Sequence, residues 1–245
     1  MPENSQEIIK KTTAQTIFED LRSQIISGQL PAGSLLPSER NMVESYNNSR
    51  GAIREAVQRL GQARLITIQH GGRTRINDYR KTAGLDLLTS LIKQNDVVDV
   101  NAIRSLIEMR TALAIDAARL AALRSGKGFG EALIEKTQQL KESNDDNRLE
   151  IVLEYWDLVV EGSNNIAYQL SINSLRDVYD IYQHVFKVLV NADFHFASYN
   201  KLTRSILNAE DKLARNAAKK LVERDAEQLG ELLDVFEKAA NRFKR

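Results

Sequence analysis

The stretch Ser38-Glu-Arg-Asn-Met-Val-Glu-Ser-Tyr-Asn-Asn-Ser-Arg-Gly-Ala-Ile-Arg-Glu-Ala-Val-Gln-Arg-Leu60, continued by Leu65-Ile-Thr-Ile-Gln-His-Gly-Gly-Arg-Thr-Arg-Ile76, decides how the N-terminal third of this chain is read. Ser38 is placed to cap a short helix whose buried side is Met42 and Val43. Tyr46-Asn47-Asn48 reads as a polar turn, and Asn48 or Ser49 opens the next helix. In that helix Ile53, Val57 and Leu60 fall at i, i+4 and i+7 and turn inward with Ala56, while Arg50 and Arg54, four apart, share an outward face. Two alternating apolar runs then flank Gly71-Gly72, the pattern of a β-hairpin. The sum is a helix-turn-helix with a wing. Upstream, Ile17, Leu21 and Ile25 give Thr13–Ser27 one apolar helical face that Gly28 ends. Two prolines and a glycine make Leu30–Pro37 an extended connection.

The chemistry of this window points to DNA. The N-terminal turns of a recognition helix reach base edges, and arginine is suited to bidentate contact with guanine O6 and N7. Gly51 and Ala52 are small enough to let the backbone approach the groove. Arg40 stands where it reaches a base or a phosphate, and Arg59, further along, a phosphate or a glutamate. His70-Gly71 at the wing tip reads either as a minor-groove probe or as a plain polar loop. From Arg40 to Arg80, eight arginines stand against Glu44, Glu55 and Asp78, a local basic field in a chain whose net charge is only +1. A solvated basic face is the bland alternative; the helix, turn, arginine-rich helix and glycine-tipped hairpin in one window speak against it.

The 245 residues, 42% apolar and 27% charged, are enough for two modest domains with real cores. No apolar run reaches bilayer-spanning length, and the first residues lack the apolar stretch of a signal peptide. With no cysteine, disulfides and thiolate chemistry are excluded, and a cytoplasmic location is expected.

Pro37-Ser-Glu-Arg40 followed by Ser49-Arg50-x-x-Ile53-Arg54-Glu55-Ala56-Val57-x-Arg59-Leu60 resembles the winged-helix signature of the GntR family of bacterial transcription regulators. The wing Leu65-Ile-Thr-Ile-Gln-His-Gly71 and the segment Thr82-Ala-Gly-Leu-Asp-Leu-Leu88 are similar to its FadR branch, the acyl-CoA-responsive regulators of fatty acid metabolism. The resemblance implies base-reading roles for Arg40, Arg50, Arg54 and His70, within a DNA contact set that adds Ser49, Gly51 and Gly71. The chain departs from the pattern in its Tyr46-Asn47-Asn48 turn, in Gly51-Ala52 where hydroxyl residues are usual, and in Arg64 before the wing in place of a glycine.

Beyond Arg80 the pattern is helical throughout, with no convincing strand. Leu85–Lys93, Ala102–Leu123, Glu131–Ser143, a helix capped near Asp145-Asp146-Asn147 and closed by Gly162, a long helix from Ile166 to about Val190, and two more over 191–207 and 210–244 form a bundle. The expected fold is therefore mainly α, with a winged helix-turn-helix domain over residues 1–80 and an all-α domain over 81–245. The latter resembles the ligand-sensing, dimerising domain of the FadR branch. Many relatives hold a metal there through an aspartate and three histidines; those positions fall on Val152, Trp156, Tyr199 and Leu221, none of them a ligand, so no metal and no cofactor are expected. The resemblance instead places a long-chain acyl-CoA effector at Arg110, Tyr179, Phe186 and Tyr199.

Read from the residues alone, these four stay open. Arg110, among Leu106, Leu113 and Ala114, needs an anionic partner, either Glu108, Glu154 or Asp177 or an anionic group of a ligand. The aromatics are core as readily as pocket. Near the C-terminus, Glu223-Arg-Asp-Ala-Glu-Gln-Leu-Gly230 carries no tryptophan where the branch has one beside its ligand. Arg215, Lys219 and Lys220 face either the CoA phosphates or solvent. The reading is a homodimeric regulator on an inverted-repeat operator, released by acyl-CoA. Its rivals are the same reader gated by a small organic acid, and an enzyme with a DNA-binding head. Nothing in the sequence supports the enzyme: there is no nucleophile–base pairing, phosphate loop or metal motif.

Overall fold

Ile17, Leu21 and Ile25 line one face of helix α1 (Thr13–Ser27) and are almost wholly buried against α3. Gly28, at φ +81°, takes the left-handed turn that releases the chain from α1. These elements belong to a computed structural model that describes residues 13–69, 73–94, 97–192 and 194–243. The chain divides into two compact units, Met1–Val98 and Asp99–Arg245.

In the first unit the Ser38 Oγ accepts from the Asn41 N–H at 3.2 Å and opens α2 (Glu39–Tyr46). Asn47, at φ 47°, closes it in the left-handed region. Ser49 caps α3 (Arg50–Gln62) by accepting from the Ala52 N–H at 3.2 Å. Ile53, Ala56, Val57 and Leu60 are its buried face. Strands β1 (Ile66–Thr67) and β2 (Arg75–Ile76) pair antiparallel in register Ile66↔Ile76, forming the base of the wing. The extended connection does more than link. Leu36 N–H donates to Thr74 O and Ile76 N–H to Ser34 O, both at 2.9 Å, so residues 34–36 run along β2 as a third edge. The chain then turns through α4 (Tyr79–Thr82), a 3₁₀ turn at Leu85–Leu87 and α5 (Leu88–Ile92).

Two features here differ from the sequence reading. The helix expected over Leu85–Lys93 is a 3₁₀ turn followed by one short helix. It runs into a second small hairpin, β3 (Lys93–Gln94) with β4 (Val97–Val98), in a region expected to lack strands.

The second unit is a helical bundle built on two long helices, α6 (Val100–Arg124) and α13 (Asp211–Phe243). Their seam is made of small residues. Ala114, Ala118 and Ala121 of α6 share a cluster with Ala214, Ala217 and Ala218 of α13, and side chains this short let two helix backbones come close. Helices α7 (Lys127–Glu142), α8 (Arg148–Gly162) and α12 (Phe196–Leu207) close the core with Leu133, Leu140, Tyr155, Trp156 and Leu202. Helix α7 starts four residues before the expected Glu131, and α12 about five residues after Asn191.

The long helix expected from Ile166 to Val190 is three pieces: α9 (Ile166–Asn173), α10 (Arg176–Ile181) and α11 (Gln183–Ala192). The first break falls at Asn173-Ser174. There the Ser174 hydroxyl donates to Leu170 O at 3.0 Å, the kind of local bond that competes with helix continuation. The second falls at Tyr182, whose φ of −110° and ψ of 23° leave the helical region.

A chain of hydroxyls crosses this apolar interior. Thr137 donates to Leu133 O at 2.7 Å and meets the Thr203 hydroxyl at 2.8 Å; Thr203 in turn meets the Tyr155 hydroxyl at 3.0 Å. Thr203→Val keeps the volume but removes the central link, leaving Thr137 its bond to Leu133 O and Tyr155 only a long 3.4 Å contact with Tyr199 O. Urea denaturation followed by circular dichroism should show a loss of about 1–3 kcal/mol, and no loss would mean the chain contributes nothing to stability.

Candidate functional site

Helix α3 is amphipathic in the sense that matters for a groove. Its buried face fixes the roll of the helix, and Ser49, Arg50, Gly51 and Arg54 are left exposed on the other side. Arg50 is used in no hydrogen bond or ion pair among the described residues. Arg54 is steered, its Nε donating to the Glu39 carboxylate at 2.9 Å. Arg40 is highly exposed and only loosely matched to Glu44, at 4.0 Å. A Cβ on Gly51 would come no closer than 3.8 Å to anything in the chain, so the fold itself does not require glycine there. His70 and Gly71 lie outside the described residues.

Three of the remaining arginines of the window, Arg59, Arg75 and Arg80, are occupied. Arg59 pairs with Glu55 at 2.6 Å and with Gln15 of α1, so of its two expected partners it takes the glutamate. Arg75 donates to the Gly33 carbonyl, and Arg80 lies 5.4 Å from the Tyr79 ring centroid. Tyr46, one of the departures in the turn, donates to Asp20 of α1; burial first, then this bond, raise its phenol pKa. The turn is thereby tied to α1 by a polar contact.

In the second unit the structure places Arg110, Tyr179 and Phe186 side by side. The Arg110 guanidinium is 6.0 Å from the Tyr179 ring centroid, and the Tyr179 and Phe186 rings are 4.6 Å apart and tilted by 49°. Burial lowers the Arg110 pKa, but Tyr179, Asp225 and Tyr199 outweigh it and the net shift is upward. At neutral pH those phenols are uncharged, so the Tyr179 ring face and the Asp225 carboxylate are what meet the cation. Of the three carboxylates expected as partners, Asp177 has no described side chain, and neither Glu108 nor Glu154 pairs with Arg110 among the described residues. Glu154 binds Lys136 instead, at 2.6 Å.

Tyr199 sits one layer deeper. It is buried in the core, with its ring edge-on to Tyr155 at 5.2 Å and beside Phe194 at 5.6 Å. Burial is the main cause that raises its phenol pKa.

A cavity of about 60 Å³ lies beside Arg110 and Tyr179. Trp156 and Asp157 of α8 and Arg176 and Asp180 of α10 also line it. The sequence reading assigned Asp157, Arg176 and Asp180 to no site and met Trp156 only as one of the four positions matched to a metal set. Arg176 pairs with Asp157 across the cavity wall, which neutralises both. The positions matched to a metal set, Val152, Trp156, Tyr199 and Leu221, do converge in one cluster, but as an apolar core with neither imidazole nor carboxylate. Among the described residues no group of three His, Cys, Asp or Glu side chains converges.

Comparison with known proteins gives this geometry a family. Residues 13–76 match the model for "Bacterial regulatory proteins, gntR family", and residues 77–234 match the "FadR C-terminal domain". The "HTH-type transcriptional regulator Mce2R" of Mycobacterium tuberculosis (strain CDC 1551 / Oshkosh) is 31% identical over 220 residues, 89% of this chain and 92% of that protein. The "Fatty acid metabolism regulator protein" of Cronobacter sakazakii is 29% identical over 185 residues, 75% of this chain and 77% of that one. A crystal structure of a GntR-family transcriptional regulator from Pseudomonas syringae pv. tomato shares the fold, with a TM-score of 0.50 at 16% identity over 94% of this chain and 89% of that one.

Alanine at Arg50 or Arg54 should lower affinity for a duplex selected from a random pool by about 5- to 150-fold each, the equivalent of about 1–3 kcal/mol per bidentate base contact. Discrimination against a scrambled duplex should shrink in parallel. Fluorescence anisotropy reads both. The melting temperature should stay near that of the parent, because the Arg54–Glu39 pair is exposed and contributes little to stability.

Proposed function

Because the chain belongs to the GntR family of bacterial transcription regulators and carries a FadR C-terminal domain, we propose that it regulates fatty acid metabolism and leaves its operator when a long-chain acyl-CoA binds. The family and its relatives are regulators of transcription, not enzymes. In this reading two chains pair about a two-fold axis, and each α3 occupies one half-site of an inverted repeat.

The observation that carries the effector reading is Arg110. A guanidinium drawn into a helical bundle, with the Tyr179 ring beside it and only the field of Asp225 to balance it, is a group that an anionic ligand head would suit. Tyr179 and Phe186 supply the apolar surface that an acyl chain needs. Effector binding then changes DNA affinity only to the extent that the effector binds one arrangement of the protein better than the other.

One observation favours a second effector class. A cavity of about 60 Å³ holds only a handful of non-hydrogen atoms, the size of a small organic acid. A long acyl chain would have to part the helices around it.

The two readings separate in one experiment. Thermal shift and release of a bound duplex are followed with oleoyl-CoA, CoA, oleate and a panel of small hydroxy and dicarboxylic acids. Oleoyl-CoA should raise the melting temperature and release the duplex, while CoA alone should do neither. Stabilisation by the small acids alone would transfer the site to the second class.

A further inference from the structure

Among the described residues, Arg54 is the one arginine of the reading face that an acid holds at close range. The Glu39 carboxylate accepts from its Nε at 2.9 Å. Arg40 has only Glu44, 4.0 Å away on its own helix, and Arg50 has no partner. An acid is an odd neighbour for a face that meets a polyanion, because it repels phosphates and cancels a charge that would attract them. Stability does not account for it. The two side chains are 66% and 45% exposed, and solvent screens such a pair until it adds almost nothing to folding. A carboxylate in the first turn of α2 suits the helix dipole, but that holds in any rotamer and does not bring it to Arg54.

The carboxylate is carried by a fixed element. Helix α2 is capped by Ser38 and seated by Met42, which is buried in the first unit's core. The bond also selects between the two donor edges of the guanidinium, Nε with one Nη or the two Nη groups together. Nε is committed to Glu39, so the Nη1–Nη2 edge is the one left whole for a planar pair of acceptors such as O6 and N7 of one guanine. A phosphate accepts from either edge and gains nothing from the choice.

Resting on the reading of α3 as the base-reading helix, we propose that Glu39 is a specificity-determining residue that acts by positioning Arg54. It keeps the Nη1–Nη2 edge for a guanine, and its charge lowers the attraction of this arginine to phosphates of any sequence. Glu39 itself touches no base in this arrangement. The rival role is direct reading, since a carboxylate can also accept from the N4 amino group of cytosine.

The test uses the full-length protein and a duplex it has selected from a random pool, with every single-base-pair variant of that duplex and a scrambled duplex of the same length. Glu39→Ala removes the acceptor, and Glu39→Gln keeps an oxygen acceptor without the charge. Both are compared with the parent, with Arg54→Ala and with the double variant Glu39→Ala/Arg54→Ala. Fluorescence anisotropy over a series of salt concentrations gives the affinities, and melting temperatures report folding.

Glu39→Ala should bind the scrambled duplex several-fold more tightly than the parent, with a salt slope steeper by about 0.9, the share of one further phosphate. Its preference for the selected duplex should fall roughly tenfold. The loss should be confined to the base pair that Arg54→Ala also relaxes, and the double variant should discriminate no worse than Arg54→Ala alone. Glu39→Gln should share the steeper slope and recover part of the preference. Unchanged preference in Glu39→Ala overturns the proposal while leaving α3 as the reader. A loss at a different base pair, additive with that of Arg54→Ala, overturns it in favour of direct reading. Both duplexes weakened alike, with a fallen melting temperature, overturns it in favour of a structural role. If Arg54→Ala itself leaves preference intact, the base-reading role of Arg54 falls and the proposal with it.

Discussion

The roll of one helix about its own axis determines what the N-terminal unit can do. Ile53, Ala56, Val57 and Leu60 seal α3 against the first unit's core, and Arg50 and Arg54 stand on the opposite side of the same backbone. A shift of that seam by one residue would turn the arginines by about 100°, away from any groove. The seal is reinforced at both ends. Ser49 sets the first turn by capping it, and Arg59 reaches Gln15 of α1 and Glu55 of its own helix. Burial on one side of α3 and recognition on the other are therefore a single constraint.

Most of this unit was legible in the sequence, because helical spacing and serine caps are local signals. The apolar positions at i, i+4 and i+7 and the caps Ser38 and Ser49 fall where their chemistry requires. The departures from the family pattern were visible too, but their outcome was not. Asn47 and Arg64 both take the left-handed region, at φ 47° and 57°, so the backbone keeps a glycine-like turn without the glycine. Asparagine tolerates this through its short polar side chain, whereas arginine carries a cost of roughly 1–2 kcal/mol. The Arg64 carbonyl offsets part of it by accepting from Asn77 and Thr82, at 2.9 and 2.8 Å. The pairing of residues 34–36 along β2 left no trace in the sequence, since it uses backbone groups alone.

The second unit was legible as helices and much less so as an architecture. Periodicity ran through 166–190 without interruption, yet the chain breaks twice there, at a serine that turns back on its own backbone and at Tyr182. The cavity was harder still. It is assembled from α6, α8, α9 and α10, whose residues are spread over some seventy positions, and Trp156 on its wall reads as core in any pattern. Arg110 stood out because a charge among leucines is anomalous in one dimension. Trp156 became anomalous only once its nitrogen could be seen to lack an acceptor.

The walls of that cavity are not equally firm, and this bears on how an effector larger than about 60 Å³ would fit. Helices α6 and α8 belong to the main core, locked by the alanine seam with α13 and by the Tyr155–Thr203–Thr137 chain. Opposite them, α9 contributes Ile172 to the wall and buries none of its residues completely, and its Ile166 and Leu170 stand more than half exposed. Segments with little buried surface open at the lowest free-energy cost. An acyl chain would therefore displace the α9 side of the wall and leave the α6–α8–α13 frame in place. Under that arrangement Arg110, on the frame, would keep its place while the broken helices yield. The breaks that interrupt the periodicity of 166–190 would then be what makes such yielding possible, because three short helices can move separately where one long helix could move only as a whole.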